Sequence, residues 1–245
     1  MAIQIALLPG LLCDGAVWSE QVSALSALGK CFIPDYAVLD SIGAMADHVL
    51  AAVGSERVLV AGHSMGGRVA FEVCRRAPER IAGLALLDTG YQVRPAADAG
   101  ECERAQRLAL LELAPKKGMR AMGEQWSPGM VHSDRLDSDV CHAILDMMER
   151  STPEKFAAQI NALLNRPDAT ALLDEIRCPT MLVCGREDRW SPLARHEEMQ
   201  ARIPASRLRA IEHSGHMSTM ERPADVSAAL LEWAKWSMEQ ETVDG

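Results

Sequence analysis

The chain has 245 residues, of which 48% are hydrophobic and 24% are charged, and its formal net charge is −9. This composition is typical of one globular domain with an insertion, and it excludes disordered, collagen-like and coiled-coil classes. The negative charge, with no run of Lys or Arg, also excludes a nucleic-acid partner.

Short apolar runs alternate with helical patterns along most of the chain. The runs show little polar alternation, which is typical of strands buried on both faces of a parallel sheet. They lie at residues 3–8, 31–36, 58–61, 82–87, 181–184 and 207–211. The patterns between them predict helices at residues 17–28, 42–53, 65–77, 193–202 and 224–238. This alternation predicts an α/β fold with a doubly wound, mostly parallel sheet of about six strands.

One region breaks the alternation, because residues 91–177 contain no convincing strand. Helices are predicted there at residues 101–113, 116–126, 137–150 and 153–164. A helical block between two core strands predicts a lid, inserted after the strand that ends near Asp88. It would cover the carboxyl edge of the sheet, where ligands bind in open α/β folds. The expected division is a core of residues 1–90 and 178–245 with a lid of residues 91–177.

A G-x-S-x-G motif at residues 62–66 places Ser64 between two glycines. The apolar run before the motif and the helical pattern after it form the strand–turn–helix setting of a nucleophile elbow. The N-terminus of that helix would offer N–H groups to an oxyanion. Ser64 is therefore the candidate nucleophile, and the alternative is a glycine-rich turn with a capping serine.

Two acidic residues follow the fifth predicted strand. Asp188 is the candidate acid, because a carboxylate at the carboxyl end of a strand can face the same cleft as Ser64. Glu187 is adjacent and competes for that role. Considered alone, Asp188 would be interpreted as a helix cap or as an ion-pair partner of Arg186 or Arg189.

Two histidines, His213 and His216, follow the last predicted strand. Either lies on a loop that can reach Ser64, and His216 is preferred because it follows the flexible Gly215 and lies further past the strand. The resulting order of serine, aspartate and histidine is a known order of the catalytic triad.

The loop after the first strand predicts an oxyanion hole, which needs two backbone N–H donors. One donor is expected at Met65, the residue after the nucleophile. The other is expected at Leu11, or at Leu12, because Gly10 lets the backbone turn toward the site. The alternative is an ordinary turn between a strand and a helix.

Taken in chain order, these segments resemble the α/β-hydrolase family over nearly the whole chain. They are the oxyanion loop, GHSMG, the helical lid, GREDRWSP and SGHMSTMERP. The resemblance implies Ser64 as nucleophile, Asp188 as acid and His216 as base. It also implies Leu11 and Met65 as oxyanion donors, with no metal and no cofactor.

The resemblance is strongest to small, esterase-like members, with two departures. The oxyanion loop begins with Pro-Gly at residues 9–10, where many relatives have His-Gly, and the usual first antiparallel hairpin is absent. The implied function is a serine hydrolase, carboxylesterase-like, that cleaves a small or medium apolar ester or a related carbonyl compound. We expect a monomer or a homodimer.

Other members of the family use the same triad, so a carbon–carbon bond hydrolase and a lactonase stay open. Arg68 adds an alternative, because Gly66-Gly67-Arg68 is similar to a segment of the menaquinone-pathway synthase, a lyase that eliminates pyruvate. Considered alone, Arg68 is more often a solvent-facing or interface arginine. A receptor that binds a small ligand without catalysis is disfavoured because all three triad residue types are present.

Several side chains near the predicted cleft are candidate substrate contacts. They are Leu12, Trp126, Met130, Trp190 and Met217. The methionines of the lid would line an apolar pocket or pack its helices against each other.

The cysteines and the apolar segments bear on the cellular location. Seven scattered cysteines without a CxxC pair predict neither a disulfide framework nor a zinc site. No run of about 18 apolar residues predicts a membrane span, and the apolar N-terminus lacks the basic region of a signal peptide. We therefore expect a reducing, cytoplasmic location.

Overall fold

The computed structural model describes residues 3–54 and 56–244, with side chains up to residue 240. Its centre is one sheet of six parallel strands in the order β2-β1-β3-β4-β5-β6. The strands are β1 (Ile3–Leu8), β2 (Gly29–Phe32), β3 (Val58–His63), β4 (Ile81–Leu87), β5 (Thr180–Gly185) and β6 (Ser206–Ile211). This sheet, flanked by helices, confirms the predicted fold class.

Burial explains why the sheet forms from these segments. Every residue of β3, β4 and β5 is buried, as their unbroken apolar sequences require of strands covered on both faces. The edge strand β6 instead alternates between exposed and partly buried residues, with Arg207 and Arg209 pointing outward to Glu232. Such charged side chains protect an exposed sheet edge from pairing with another chain.

Helices connect the strands, and all but one of them overlap a predicted helix. They are α1 (Ser19–Leu25), α2 (Ile42–Ala52), α3 (Met65–Arg76), α8 (Leu193–Arg202), α9 (Ser218–Glu221) and α10 (Pro223–Asp244). Side chains cap several of the helices. For example, Ser41 accepts from the N–H of Ala44 at the start of α2, and Thr152 accepts from the N–H of Lys155 at the start of α7 (Pro153–Leu164).

Two predicted bounds are wrong. The second strand was expected at residues 31–36 but ends at Phe32, because Pro34 has no N–H to offer the ladder and the chain leaves the sheet before it. The first helix was expected from residue 17, where the chain instead makes a 3₁₀ turn over Gly15–Trp18 that is capped by Asp14.

Between β4 and β5 the described chain is helical, as predicted. It contains α4 (Ala97–Lys117), α5 (Met119–Trp126), α6 (Asp139–Glu149) and α7, which pack on one another. We refer to α4–α7 and their connections as the helical insertion. Among the described residues no helix has both the length and the apolar character needed to cross a membrane.

Candidate active site

Ser64 lies on a sharp turn between β3 and α3. Its backbone has φ of +55° and ψ of −114°, which is a strained conformation for a residue with a side chain. The turn is held by its neighbours: the N–H of Ser64 donates to the carbonyl of Leu87 at 2.9 Å, and the hydroxyl of Thr89 donates to the carbonyl of Ser64 at 2.7 Å. These hydrogen bonds to β4 and to the residue after it hold Ser64 in its strained conformation.

The two glycines of the motif are required by close backbone contacts. A Cβ at Gly62 would lie 2.3 Å from the carbonyl oxygen of Gly66. A Cβ at Gly66 would lie 2.1 Å from the carbonyl oxygen of Leu8, at the end of β1. Both distances are shorter than a van der Waals contact, so only glycine lets α3 pass close to β1 at this point.

Ser64, His216 and Asp188 form a connected line of hydrogen bonds. The Nε2 atom of His216 lies 2.8 Å from the Oγ atom of Ser64, and Nδ1 lies 2.8 Å from Oδ2 of Asp188. The other oxygen of Asp188 accepts from the backbone N–H groups of Trp190 and Ser191 at 2.8 and 2.9 Å. Each side chain is thus oriented by the next, which is the geometry of a nucleophile, a base and an orienting acid.

The competing residues of the sequence do not reach the line. Glu187 bonds the backbone of Ser214 through its side chain at 3.0 Å. His213 is exposed, and its ring lies against His132 at 5.9 Å between centroids. Arg186 pairs with Glu212 and not with Asp188.

The electrostatics of the line are set by burial and by opposite charges. Burial lowers the pKa of His216, but the charge and hydrogen bond of Asp188 outweigh it, so the pKa of His216 is raised above 6.5. Burial raises the pKa of Asp188, but His216 outweighs it and the net pKa lies below 3.8. Asp188 is therefore a carboxylate wherever His216 titrates.

A second acid, Asp88, is buried beside Asp188 at the end of β4. Burial and the charge of Asp188 raise the pKa of Asp88 well above 3.8, so its carboxyl holds a proton more readily. It bonds the hydroxyl of Ser218 and the N–H of Gly185. His63 stays neutral because burial and the nearby His216 lower its pKa to about 3.

The donor atoms of Asp88, Cys184 and Asp188 lie within 4.8 Å of one another and are all buried. Burial raises the pKa of the Cys184 thiol far above its usual range, whereas a metal ligand must be a thiolate. Both oxygens of Asp188 already accept hydrogen bonds. The chemistry of this group fits a hydrogen-bond network better than a metal site.

The loop after β1 lies against the elbow. The N–H of Leu12 donates to Oε1 of Gln159, on helix α7, at 2.8 Å. In the described part of the chain no acceptor bonds the N–H of Leu11. Met65 is the first residue of α3, so its N–H has no partner within the helix. Of the two loop donors that the sequence left open, the one at Leu12 is already occupied.

A cavity of about 670 Å³ opens above Ser64. Four of the five predicted substrate contacts line it, namely Trp126, Met130, Trp190 and Met217. Trp126 and Trp190 stack with their ring centroids 4.9 Å apart, and Trp190 lies 4.9 Å from the ring of His216. The backbone carbonyl of Met130 also accepts from the N–H of His216 at 2.8 Å.

The fifth predicted contact, Leu12, is wrong. Its side chain is buried in the core at 2% exposure and is not part of the cavity wall. The backbone of Leu12 has a positive φ of +60°, and its N–H donates to Gln159. Gln159, which holds this loop from the helical insertion, carries no signal in the sequence.

Arg68 is only partly exposed. It lies on α3 and lines the same cavity as Ser64. Arg107 and Arg166, which the sequence did not place, line it as well, whereas Arg94 and Arg104 do not. Arg195 also lines the cavity and was not predicted, although its position on α8, just after Asp188, predicts the same edge of the sheet.

A sequence model described as "Alpha/beta hydrolase family" matches residues 5–229. The chain belongs to the α/β-hydrolase family.

Relatives in this family carry hydrolase names. A pimeloyl-[acyl-carrier protein] methyl ester esterase from Aromatoleum aromaticum is 27% identical, with coverage of 78% of this chain and 79% of that protein. A protein from Pseudomonas savastanoi pv. phaseolicola named as a carbamate hydrolase, RutD, is 24% identical, covering 94% and 92%. A thermophilic esterase from Thermogutta terrifontis, solved with malate bound, superimposes with a TM-score of 0.85 at 28% identity, covering 96% and 90%. These similarities support hydrolase activity.

Proposed function

We propose that the protein is a serine hydrolase that cleaves a small or medium carboxylic ester through an acyl-enzyme on Ser64. The observation that carries the proposal is the unbroken line from Oγ of Ser64 through both ring nitrogens of His216 to Asp188, with 2.8 Å at each step. Esterase relatives in the same family support an ester as the substrate.

The mechanism starts with His216 neutral. As Oγ of Ser64 attacks the ester carbonyl, Nε2 of His216 takes the hydroxyl proton, and Asp188 stabilises the imidazolium that forms. The carbonyl oxygen becomes an oxyanion that accepts from the N–H groups of Leu11 and Met65. A donor of this kind contributes about 3 kcal/mol to the stability of the transition state.

Collapse of the tetrahedral intermediate releases the alcohol, which receives the proton from His216. Water then attacks the acyl-enzyme, with His216 again as the base, and releases the acid. The helical insertion acts as a lid that covers the acyl group: Trp126 and Met130 come from it and lie over the cavity. No step needs a metal ion or a cofactor.

Replacing the nucleophile tests the proposal. The change Ser64→Ala should lower the rate on p-nitrophenyl esters by about 10⁴-fold or more, because the nucleophile and base act as a unit. Its melting temperature should not fall. A fluorophosphonate should label the wild-type protein on Ser64, as read by mass spectrometry. A variant that keeps a tenth of the wild-type rate, or label on another residue, would contradict the proposal.

A further inference from the structure

Among the described residues, four arginines and one acidic side chain line the cavity. The arginines are Arg68, Arg107, Arg166 and Arg195, and the acid is Glu103. We refer to these four arginines as the arginine cluster. They come from three separate parts of the chain: α3, the helical insertion and α8. An excess of positive charge in a protein of net charge −9 is a local feature and not a consequence of composition.

Glu103 is fully used by two of the arginines. Its oxygens accept from both terminal nitrogens of Arg166 at 2.6 and 2.9 Å, and Oε1 also accepts from Nε of Arg107 at 3.0 Å. Burial raises the pKa of Glu103, but these two cations outweigh it and lower the pKa to about 2. One negative charge therefore offsets only part of this pair.

The other two arginines have no acidic partner within salt-bridge distance in the described chain. Arg68 donates to the backbone carbonyl of Gln92 at 2.8 Å, and Arg195 donates to that of Trp190 at 3.3 Å. A terminal nitrogen of each lies 3.0 Å from the point where a Cβ of Gly90 would be. The two guanidinium groups thus converge on one spot of the cavity wall.

This convergence is unfavourable without a ligand. Burial, together with the nearby charges of Arg166 and Arg195, lowers the pKa of Arg68 to about 9, which still leaves it charged at neutral pH. Like charges that are partly removed from water need a counter-charge. A planar guanidinium matches a carboxylate with two parallel hydrogen bonds. A carboxylate is therefore the ligand chemistry that this spot fits.

The spot lies close to the nucleophile. Arg68 lies in the first turn of α3, directly after the turn that carries Ser64, and both residues line the cavity. Thr89 donates its hydroxyl to the carbonyl of Ser64, and the next residue, Gly90, is the point on which Arg68 and Arg195 converge. A carboxylate held here is separated by only a few carbon atoms from a carbonyl placed at Ser64.

We propose that the arginine cluster binds a free carboxylate of the substrate, so that the preferred substrate is a half-ester of a short dicarboxylic acid. This inference rests on the proposed ester hydrolysis at Ser64 and names its substrate class. Arg68 and Arg195 hold the carboxylate, while Arg107 and Arg166 with Glu103 form the adjoining wall.

Wild-type kinetics give the first test. The substrates are monomethyl and dimethyl esters of succinic, glutaric and adipic acid, with acid release followed by titration. We expect kcat/KM for at least one monomethyl ester to exceed that for its dimethyl ester by about tenfold or more, since charge-assisted hydrogen bonds form only with the free acid. An equal or lower value for all three monoesters overturns the inference.

Two variants locate the effect. Arg68→Met and Arg195→Met should each lower the ratio of monoester to diester kcat/KM by about tenfold. The matched control is Arg104→Met, an exposed arginine of the helical insertion that pairs with Glu101 outside the cavity, and it should leave the ratio unchanged. If one variant does not fold, the ratio measured for the other, which lies on a different helix, still tests the inference. An unchanged ratio in a folded variant contradicts the assignment.

A binding measurement separates this inference from the proposed reaction. Glutarate and glutaramide are titrated into Ser64→Ala, with the fluorescence of Trp126 and Trp190 as the readout. Binding of glutarate but not of the diamide, with no esterase activity in the wild type, would support the anion site and refute the serine hydrolase. Ester hydrolysis without selective glutarate binding would support the serine hydrolase and refute the anion site.

Discussion

The two ends of the cavity differ in how their polar groups are paired. At the catalytic end, Nδ1 of His216 is hydrogen-bonded to Oδ2 of Asp188, and Oδ1 of Asp188 accepts from two backbone N–H groups. At the arginine cluster, Arg68 and Arg195 bond only backbone carbonyls within the described part of the chain. The polar side chains of the first end therefore bond one another, whereas we infer that a carboxylate of the substrate supplies the counter-charge at the second.

In the proposed reaction, the first end acts on the ester carbonyl and the second end determines which substrate is preferred. Changes at the catalytic end should lower the rate on every ester alike, because each substrate presents the same carbonyl. Changes at the arginine cluster should depend on the charge of the substrate. The three predictions that follow sharpen this contrast at the catalytic end, from the largest effect to the smallest.

The change Asp188→Asn should cause the largest loss, about 10³- to 10⁴-fold in kcat, because the amide no longer stabilises the imidazolium or fixes its tautomer. The loss should be the same for monomethyl and dimethyl esters. The matched control is Asp88→Asn, since the pKa of Asp88 is raised and it does not bond the ring of His216. We expect that control to lose less than about tenfold; a larger loss for Asp88→Asn than for Asp188→Asn would reverse the roles of the two acids.

The pH profile should follow His216. Its neutral form is the base, and its pKa is raised, so activity is lost as the pH falls through a midpoint above 6.5. Below the midpoint kcat/KM for a dimethyl ester should fall about tenfold per pH unit. In Asp188→Asn the midpoint of this loss should move to lower pH, because Asp188 raises the pKa of His216. A flat profile down to pH 4 would be incompatible with His216 as the base.

The change Gln159→Leu should have the smallest effect on rate. It leaves the buried N–H of Leu12 without its acceptor, which costs about 1–3 kcal/mol in the free energy of unfolding. Because the oxyanion loop is then less well fixed, kcat should fall several-fold on neutral and charged esters alike. Denaturant titration and kinetics on both ester series check this, and a loss confined to monoesters would place Gln159 with the arginine cluster.

The central strands β3, β4 and β5 could be predicted because they are buried on both faces and so have unbroken apolar sequences. The segments for β1 and β3–β6 lie within a residue or two of their observed bounds. The strand β2 is short and only partly buried, and its end is set by Pro34 rather than by hydrophobicity. A proline, and not the apolar pattern, therefore determines where β2 ends.

At the site, residues fixed by backbone position were predictable and residues fixed by tertiary contact were not. Ser64, Asp188 and His216 each follow a strand at the same edge, so chain order alone brings them near one another. The link from Gln159 to Leu12 joins residues 147 positions apart, and no local pattern encodes it. The same is true of Arg68 and Arg195, whose nearness depends on how α3 and α8 meet at Gly90.

The hydrogen bond between Gln159 and Leu12 also bears on protein engineering. A designer who replaces the helical insertion with one from another α/β-hydrolase, to change the substrate range, would remove the side chain that holds the oxyanion loop. The graft would keep its nucleophile, base and acid and still begin with a loosened loop. The new insertion must therefore supply its own acceptor for the N–H of Leu12 if the loop is to stay in place.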